Sequence, residues 1–270
     1  MPSHPFAPNG YFNALSGERR KQILSSDFGR SLLLSGLEYA LPLWWVFKDQ
    51  TNGLTLRNGS SFLVNRGHGI FAVTAAHVLA EYVATKSRST KIACQLGSLE
   101  FDPEARLISR QDKLDIATFR VTEVEAAHIN KAIVPSEPPI WEPLVPTLTN
   151  FAFFAGFPAQ SGGLTPSGDF ATAPHFAMQP ITSVTDHQIG CRFDREKMID
   201  LSGQGLPPQG YDVGGISGGP LLMPTLVRQE DVEGVIWRLA GIIVQAAMGE
   251  LFEQIVAVRS NYIQSDGKIG

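Results

Sequence analysis

Four glycines and a proline crowd one serine in Gly214-Gly215-Ile216-Ser217-Gly218-Gly219-Pro220. Each glycine costs folding entropy inside a helix or strand, so such a run belongs where the backbone turns tightly. A turn of this kind exposes the serine and can aim its own N–H groups at a developing negative charge. A hydroxyl nucleophile beside preorganised amide donors is the equipment of acyl transfer. A glycine-rich surface turn with an incidental serine has the same letters. The choice therefore depends on whether the chain also holds the base and the acid that a serine nucleophile needs.

Histidines stand at positions 4, 68, 77, 128, 175 and 187, all before Ser217. Gly215-Ile216-Ser217-Gly218-Gly219 also fits the G-x-S-x-G elbow of α/β-hydrolases, but that fold places its histidine after the serine. No histidine follows here, and the elbow reading falls. His77 is the strongest base: it follows the apolar run Ile70–Thr74, sits beside Ala75 and Ala76, and opens a short helical pattern. A lone histidine in that setting is more often structural, so it needs its acid. Asp115, in Leu114-Asp115-Ile116-Ala117-Thr118-Phe119, is the best candidate. A carboxylate at the mouth of an apolar strand is costly to bury unpaired. A turn aspartate that accepts backbone N–H groups is the plainer reading of it. Asp112, in a charged loop, is expected to be exposed, as is His68 in its turn.

The 270 residues suffice for one large or two smaller cores. With 18% charged residues, a net charge of −4 and no dense Lys/Arg block, the composition argues against a nucleic-acid partner. Cys94 and Cys191 show no metal spacing and are too few for a disulfide scaffold; their pairing stays open. No cofactor or metal is expected. The first thirty residues lack the apolar core of a signal peptide, and Ser31–Phe47 holds Glu38 and Pro42, so no membrane span is expected and the cytoplasm is the default location.

Residues 1–40 read as an extension with a loosely helical stretch from Ser16 to Leu37, in which Ile23, Phe28, Leu32 and Leu33 are the apolar candidates. Short strand-like runs punctuated by glycine turns follow from Leu43, interrupted by about two turns of helix at 75–82. Five prolines between Pro135 and Pro146 mark a linker. Strand-like runs resume from Asn150 to Val258, separated by Gly/Pro-rich loops at 161–168 and 203–210, and the tail from Arg259 suggests one short helix. The pattern is all-β, a sandwich or barrel, with no βαβ alternation.

Thr74-Ala75-Ala76-His77, Leu114-Asp115-Ile116-Ala117 and Gly215-Ile216-Ser217-Gly218-Gly219-Pro220 resemble, in order and spacing, the three signatures of trypsin-like (chymotrypsin-fold) serine peptidases. The Asp-Ile-Ala form is most similar to bacterial members of the HtrA type, without a PDZ domain. The resemblance covers about residues 43–260. It implies two antiparallel six-stranded β-barrels: residues 41–146 with His77, Asp115 and the crossover, and residues 147–270 with Ser217. It also implies a serine endopeptidase acting on protein or peptide substrate. Ser217 would be the nucleophile, His77 the base and Asp115 the orienting acid, with an oxyanion hole from the Gly215 and Ser217 N–H groups. Tyr211, six residues before the serine, falls at the pocket base, and Ile243-Val244-Gln245-Ala246 at the substrate-aligning strand, making Tyr211, Val244 and Ala246 the substrate-binding candidates.

Two departures stand out. Ile216 replaces the aspartate that pairs with a new N-terminus in digestive members, and Tyr211 replaces the acid that selects basic side chains. Small or medium apolar side chains are therefore expected before the scissile bond, with an inward-turned Asp212 as the route to a basic preference. A binding module that has lost activity, and an esterase or acyltransferase with the same triad, are the alternatives.

Overall fold

Runs of aromatic and β-branched residues, cut by glycine turns, put about half of the described residues into strands, nearly all of them antiparallel. The computed structural model describes residues 18, 22–23 and 25–270 apart from 50–52, 90, 136–143, 149, 166–169, 194–210, 230–231 and 249–252. The N-terminal half holds β1 (Leu41–Asp49), β2 (Gly53–Asn65), β3 (Ile70–Thr74), β4 (Ile92–Leu96), β5 (Leu99–Glu100), β6 (Leu107–Gln111), β7 (Ile116–Arg120) and β8 (Ile133–Val134). They form one eight-stranded sheet in the order β5-β4-β1-β2-β3-β7-β6, with β8 added to β2. Among the described residues this sheet does not close on itself, so the first of the two expected barrels is an open sheet by its hydrogen bonds.

The C-terminal half does close. Its strands are β9 (Phe151–Gly156), β10 (Gly162–Leu164), β11 (Phe170–Thr172), β12 (His175–Val184), β13 (Gln188–Phe193), β14 (Pro220–Gln229), β15 (Val232–Met248) and β16 (Glu253–Arg259). Six of them make a barrel in the order β12-β13-β16-β15-β14-β9, and β10 and β11 pair separately. Side chains alternate across each strand. Phe154, Ile189, Cys191, Ile243, Ile255 and Ala257 form one apolar cluster. Their neighbours Phe153, Ile242 and Val258 point the other way and pack with Phe62, Val64, Phe71 and Val73 of the first half. The two halves thus share a core.

Three helices are present among the described residues. Helix α1 (Asp27–Leu37) begins inside the expected extension. It buries Leu32 and Leu33, while Phe28 is exposed, contrary to the expectation for that residue. Its Ser35 hydroxyl accepts from the Trp237 ring N–H at 2.9 Å, and Gly36 leaves no room for a Cβ beside the Phe153 ring. Helix α1 is therefore docked on the barrel. Helix α2 (Ala76–Arg88) is longer than the two turns expected. Helix α3 (Glu123–Ile129) has a reciprocal capping box between Thr122 and Glu125, a T-x-x-E signal the strand-based reading passed over.

The C-terminal helix is not there: a 3-10 turn at Ser260–Tyr262 gives way to a bridge between Ile263 and Ile269. Gly267, at φ 83°, turns the tail back, and its carbonyl accepts from the Thr118 hydroxyl of β7 at 2.6 Å. That contact with the first half outcompetes a free terminal helix. Cys94 and Cys191 are both buried and free, in separate clusters. No helix among the described residues is long and apolar enough to cross a membrane. Residues 1–17 of the expected extension, most of the proline-rich linker and the loop at 203–210 lie outside the described residues.

Candidate active site

One residue ties β7 to the start of α2. Asp115 sits at φ 56°, in the left-handed region that aspartate tolerates better than most side chains. Its carboxylate thereby turns back over the helix. Oδ2 lies 2.7 Å from His77 Nδ1, and Oδ1 accepts the His77 backbone N–H at 2.8 Å. The Asp115 carbonyl accepts from the Ala76 N–H at 3.1 Å. Ala75, at the helix cap position, has no side chain able to do this. Asp115 thus serves as a cap supplied from another strand, satisfying donors that the first turn leaves open. It is both the turn aspartate of the plainer reading and the partner of His77.

The histidine side chain is 49% exposed, and its hydrogen bond to Asp115 raises its pKa above the usual imidazole value. Partial burial opposes that rise, and the charges of Asp115 and Glu81 add to it. With Nδ1 engaged by a carboxylate, the neutral ring keeps its proton on Nδ1 and offers Nε2 as the acceptor. Asp112 is exposed and ion-paired with Arg110 at 2.6 Å, so it takes no part.

The serine run folds as two successive β-turns. Ile216 N–H donates to the Val213 carbonyl at 3.1 Å, and Gly219 N–H donates to the Ile216 carbonyl at 3.0 Å. The third residue of each turn, Gly215 at φ 101° and Gly218 at φ 90°, has the positive φ of a type II turn. Glycine is required at 218 for a second reason. A Cβ there would lie 2.1 Å from the Ser60 carbonyl and 2.2 Å from the Thr74 hydroxyl. The turn after Ser217 is seated on the strand end that leads into His77.

Peptide planarity then decides where two amides go. The Gly214 carbonyl accepts from Ala159 N–H at 2.7 Å, so the Gly215 N–H, trans across the same peptide, points the opposite way. The Ile216 carbonyl accepts from Gly219, which likewise turns the Ser217 N–H away. The N–H groups of Gly214, Ile216, Gly218 and Gly219 are all bonded. Those of Gly215 and Ser217 have no partner among the described residues. A pair of unpaired amides flanking one serine can stabilise an oxyanion.

Gly218 N–H and the Gly219 carbonyl both bond to Ile243 of β15, at 2.7 and 2.9 Å, so the strand expected to align substrate runs beside the serine turn. A register shift leaves Val244 as a bulge between Ile243 and Gln245. Val244 and Ala246 are half-buried. Tyr211 is half-buried too, against the cluster holding Phe154 and Ile216. Its ring lies 6.0 Å from that of His175, which in turn lies 5.8 Å from Phe154. Burial lowers the His175 pKa, and the charge of Glu253 opposes this. His175 had no local sequence signal. Asp212 is exposed, and its carboxylate accepts the Gly214 N–H at 2.7 Å, so the route to a basic preference through Asp212 loses its geometry.

The structure brings His77 and Asp115 into direct contact and places the Ser217 turn on Thr74 and Ala75. No hydrogen bond joins the Ser217 hydroxyl to the His77 ring among the described residues. The sequence reading missed Ser60, which bonds the serine turn from β2, and Asn58, which bonds the Phe157 carbonyl beside it; the only trace is the polar run Asn58-Gly59-Ser60-Ser61 inside a strand. No family model matches the chain, and no curated protein matches it either.

Proposed function

We propose that this protein is a serine endopeptidase of the chymotrypsin-like kind, cleaving peptide bonds through a covalent acyl-enzyme. The closed six-stranded barrel is compatible with that fold, and the eight-stranded sheet is read as its more open counterpart. The observation that carries the reading is the serine turn: two outward amides at Gly215 and Ser217, packed against the strand end that delivers a His77 already paired with Asp115.

In this reading Ser217 Oγ attacks the scissile carbonyl while His77 Nε2 takes its proton. Asp115 fixes the tautomer and stabilises the imidazolium. The oxyanion rests on the Gly215 and Ser217 amides. The proton passes to the leaving amine, and water repeats the sequence to release the acyl group. Substrate backbone pairs along Val244–Ala246, and the side chain before the scissile bond enters beside Tyr211.

Labelling with a fluorophosphonate probe tests this. Intact protein should react at Ser217 and Ser217→Ala should not, with the melting temperature of the variant unchanged. No labelling of the intact protein overturns the reading. An inactive binding module would then stand, the reading that the lack of a hydrogen bond between Ser217 and His77 among the described residues favours. Turnover of esters without turnover of peptides would instead assign an esterase or acyltransferase.

A further inference from the structure

A turn rich in glycine is free to flip its central peptide. If the Gly214–Gly215 peptide rotated, Gly215 would leave positive φ, its N–H would turn inward, and the oxyanion hole would be lost. Both conformations are open to glycine. The Ala159 N–H holds the Gly214 carbonyl from outside the turn, and the adjoining Gly215–Ile216 and Ser217–Gly218 peptides need holds of their own. Ile216 is fully buried in the apolar cluster and can form no ion pair.

Ser60, fully buried on β2 of the opposite half, is bonded to the turn at two points. Its hydroxyl donates to the Gly215 carbonyl at 2.8 Å, and its N–H donates to the Ser217 carbonyl at 2.9 Å. The same hydroxyl accepts the Phe157 N–H at 2.8 Å, and the Ser60 carbonyl accepts the Thr74 hydroxyl at 2.6 Å. Asn58, two residues earlier, donates its side-chain N–H to the Phe157 carbonyl at 2.6 Å. Every polar atom of Ser60 is thus committed to the serine turn, the end of β9 or the entry to His77.

We propose that Ser60 is the positioning residue of the oxyanion turn: from the opposite half it fixes the Gly215–Ile216 and Ser217–Gly218 peptides that adjoin the two carrying the outward amides, and through Phe157 it fixes the segment whose Ala159 N–H holds the Gly214 carbonyl, without an activating ion pair. The proposal rests on the peptidase reading for its catalytic consequence, but the restraint itself is a property of the fold. It predicts that one buried hydroxyl, touching no substrate, controls the chemical step.

Ser61 supplies the control. It is equally buried on the same strand, but its hydroxyl donates to the Val73 carbonyl at 2.8 Å and makes no bond to the turn. Ser60→Ala should lower kcat about 10- to 100-fold with KM within about 3-fold, below the cost of deleting an oxyanion donor outright. Affinity for a peptide boronate should fall by the same factor. Ser61→Ala should lower the melting temperature comparably and leave kcat within about 3-fold. If alanine at 60 prevents folding, Ser60→Cys, with a weaker donor, should give an intermediate loss.

Amide hydrogen exchange on the full chain provides a readout independent of turnover. In Ser60→Ala, exchange at Phe157, Ile216 and Gly218 should accelerate about tenfold or more, with Ile255 in the barrel unchanged. Unchanged exchange at Ile216 and Gly218, or an equal acceleration in Ser61→Ala, overturns the proposal. If the wild type fails to react with the probe, the peptidase reading falls and the exchange comparison still decides the restraint.

Discussion

Replacing Asp115 by Asn isolates the part of the site that the structure defines best. Asparagine is nearly isosteric and accepts the left-handed φ of 56°, so the backbone entering β7 is expected to hold. Its amide oxygen can still accept the His77 N–H, at the place where Oδ1 does so at 2.8 Å. The amide nitrogen then faces His77 Nδ1, where Oδ2 now lies at 2.7 Å. Two donors cannot share that position, so the ring must give its Nδ1 proton up and carry it on Nε2. An imidazole protonated at Nε2 cannot take the Ser217 proton. The expected loss is about 10⁴-fold in kcat, about 5 kcal/mol of transition-state stabilisation. Because the cap survives, the stability loss should stay near ~1 kcal/mol. Steady-state peptide hydrolysis, probe labelling and a thermal melt measure the three quantities. The pH profile is a further check. Activity needs neutral His77, whose pKa the Asp115 hydrogen bond raises, so wild-type kcat/KM should rise with pH through that raised value. The Asn variant should show its rise at lower pH. Activity within a few-fold of wild type would refute the assignment of the acid, and an unshifted profile would refute the hydrogen bond as the cause.

Gly218→Ala should cost ~3 kcal/mol or more, since the new methyl would overlap the Ser60 carbonyl and Thr74 hydroxyl at a φ of 90°; a denaturation midpoint close to wild type would contradict that packing. With Ile216 buried and α1 docked on the barrel, the intact chain should react with the probe without prior cleavage; labelling that appears only after a cut near residue 40 would show an activation peptide. Removing residues 1–40 should instead lower the melting temperature, by the loss of Leu32 and Leu33 from the core. A peptide library varied before the scissile bond should favour Ala, Val or Leu beside Tyr211 and Ala246, and a dominant preference for Lys or Arg would defeat that expectation.

The letters around His77, Asp115 and Ser217 were enough to single out three residues, because their signals are local. Glycine at φ-restricted turn positions, a carboxylate beside an apolar strand and a histidine among alanines each violate the surrounding pattern. Strand positions were legible for the same reason, since burial on a pleated sheet leaves its trace in neighbouring residues. The helical reading of the tail after Arg259 failed because Gly267 is held by Thr118, a contact about 150 residues away in sequence. The docking of Leu32 and Leu33, the pairing of Tyr211 with His175 and the outward turn of Asp212 were equally invisible. Ser60 shows the difference most plainly. Its type and its neighbours describe an ordinary strand serine, and nothing in them points at residues 215 and 217. The sequence by itself determined which residue types could do chemistry; only the tertiary structure decided which carbonyls are held, because a trans peptide whose carbonyl is bonded on one edge presents its N–H on the other.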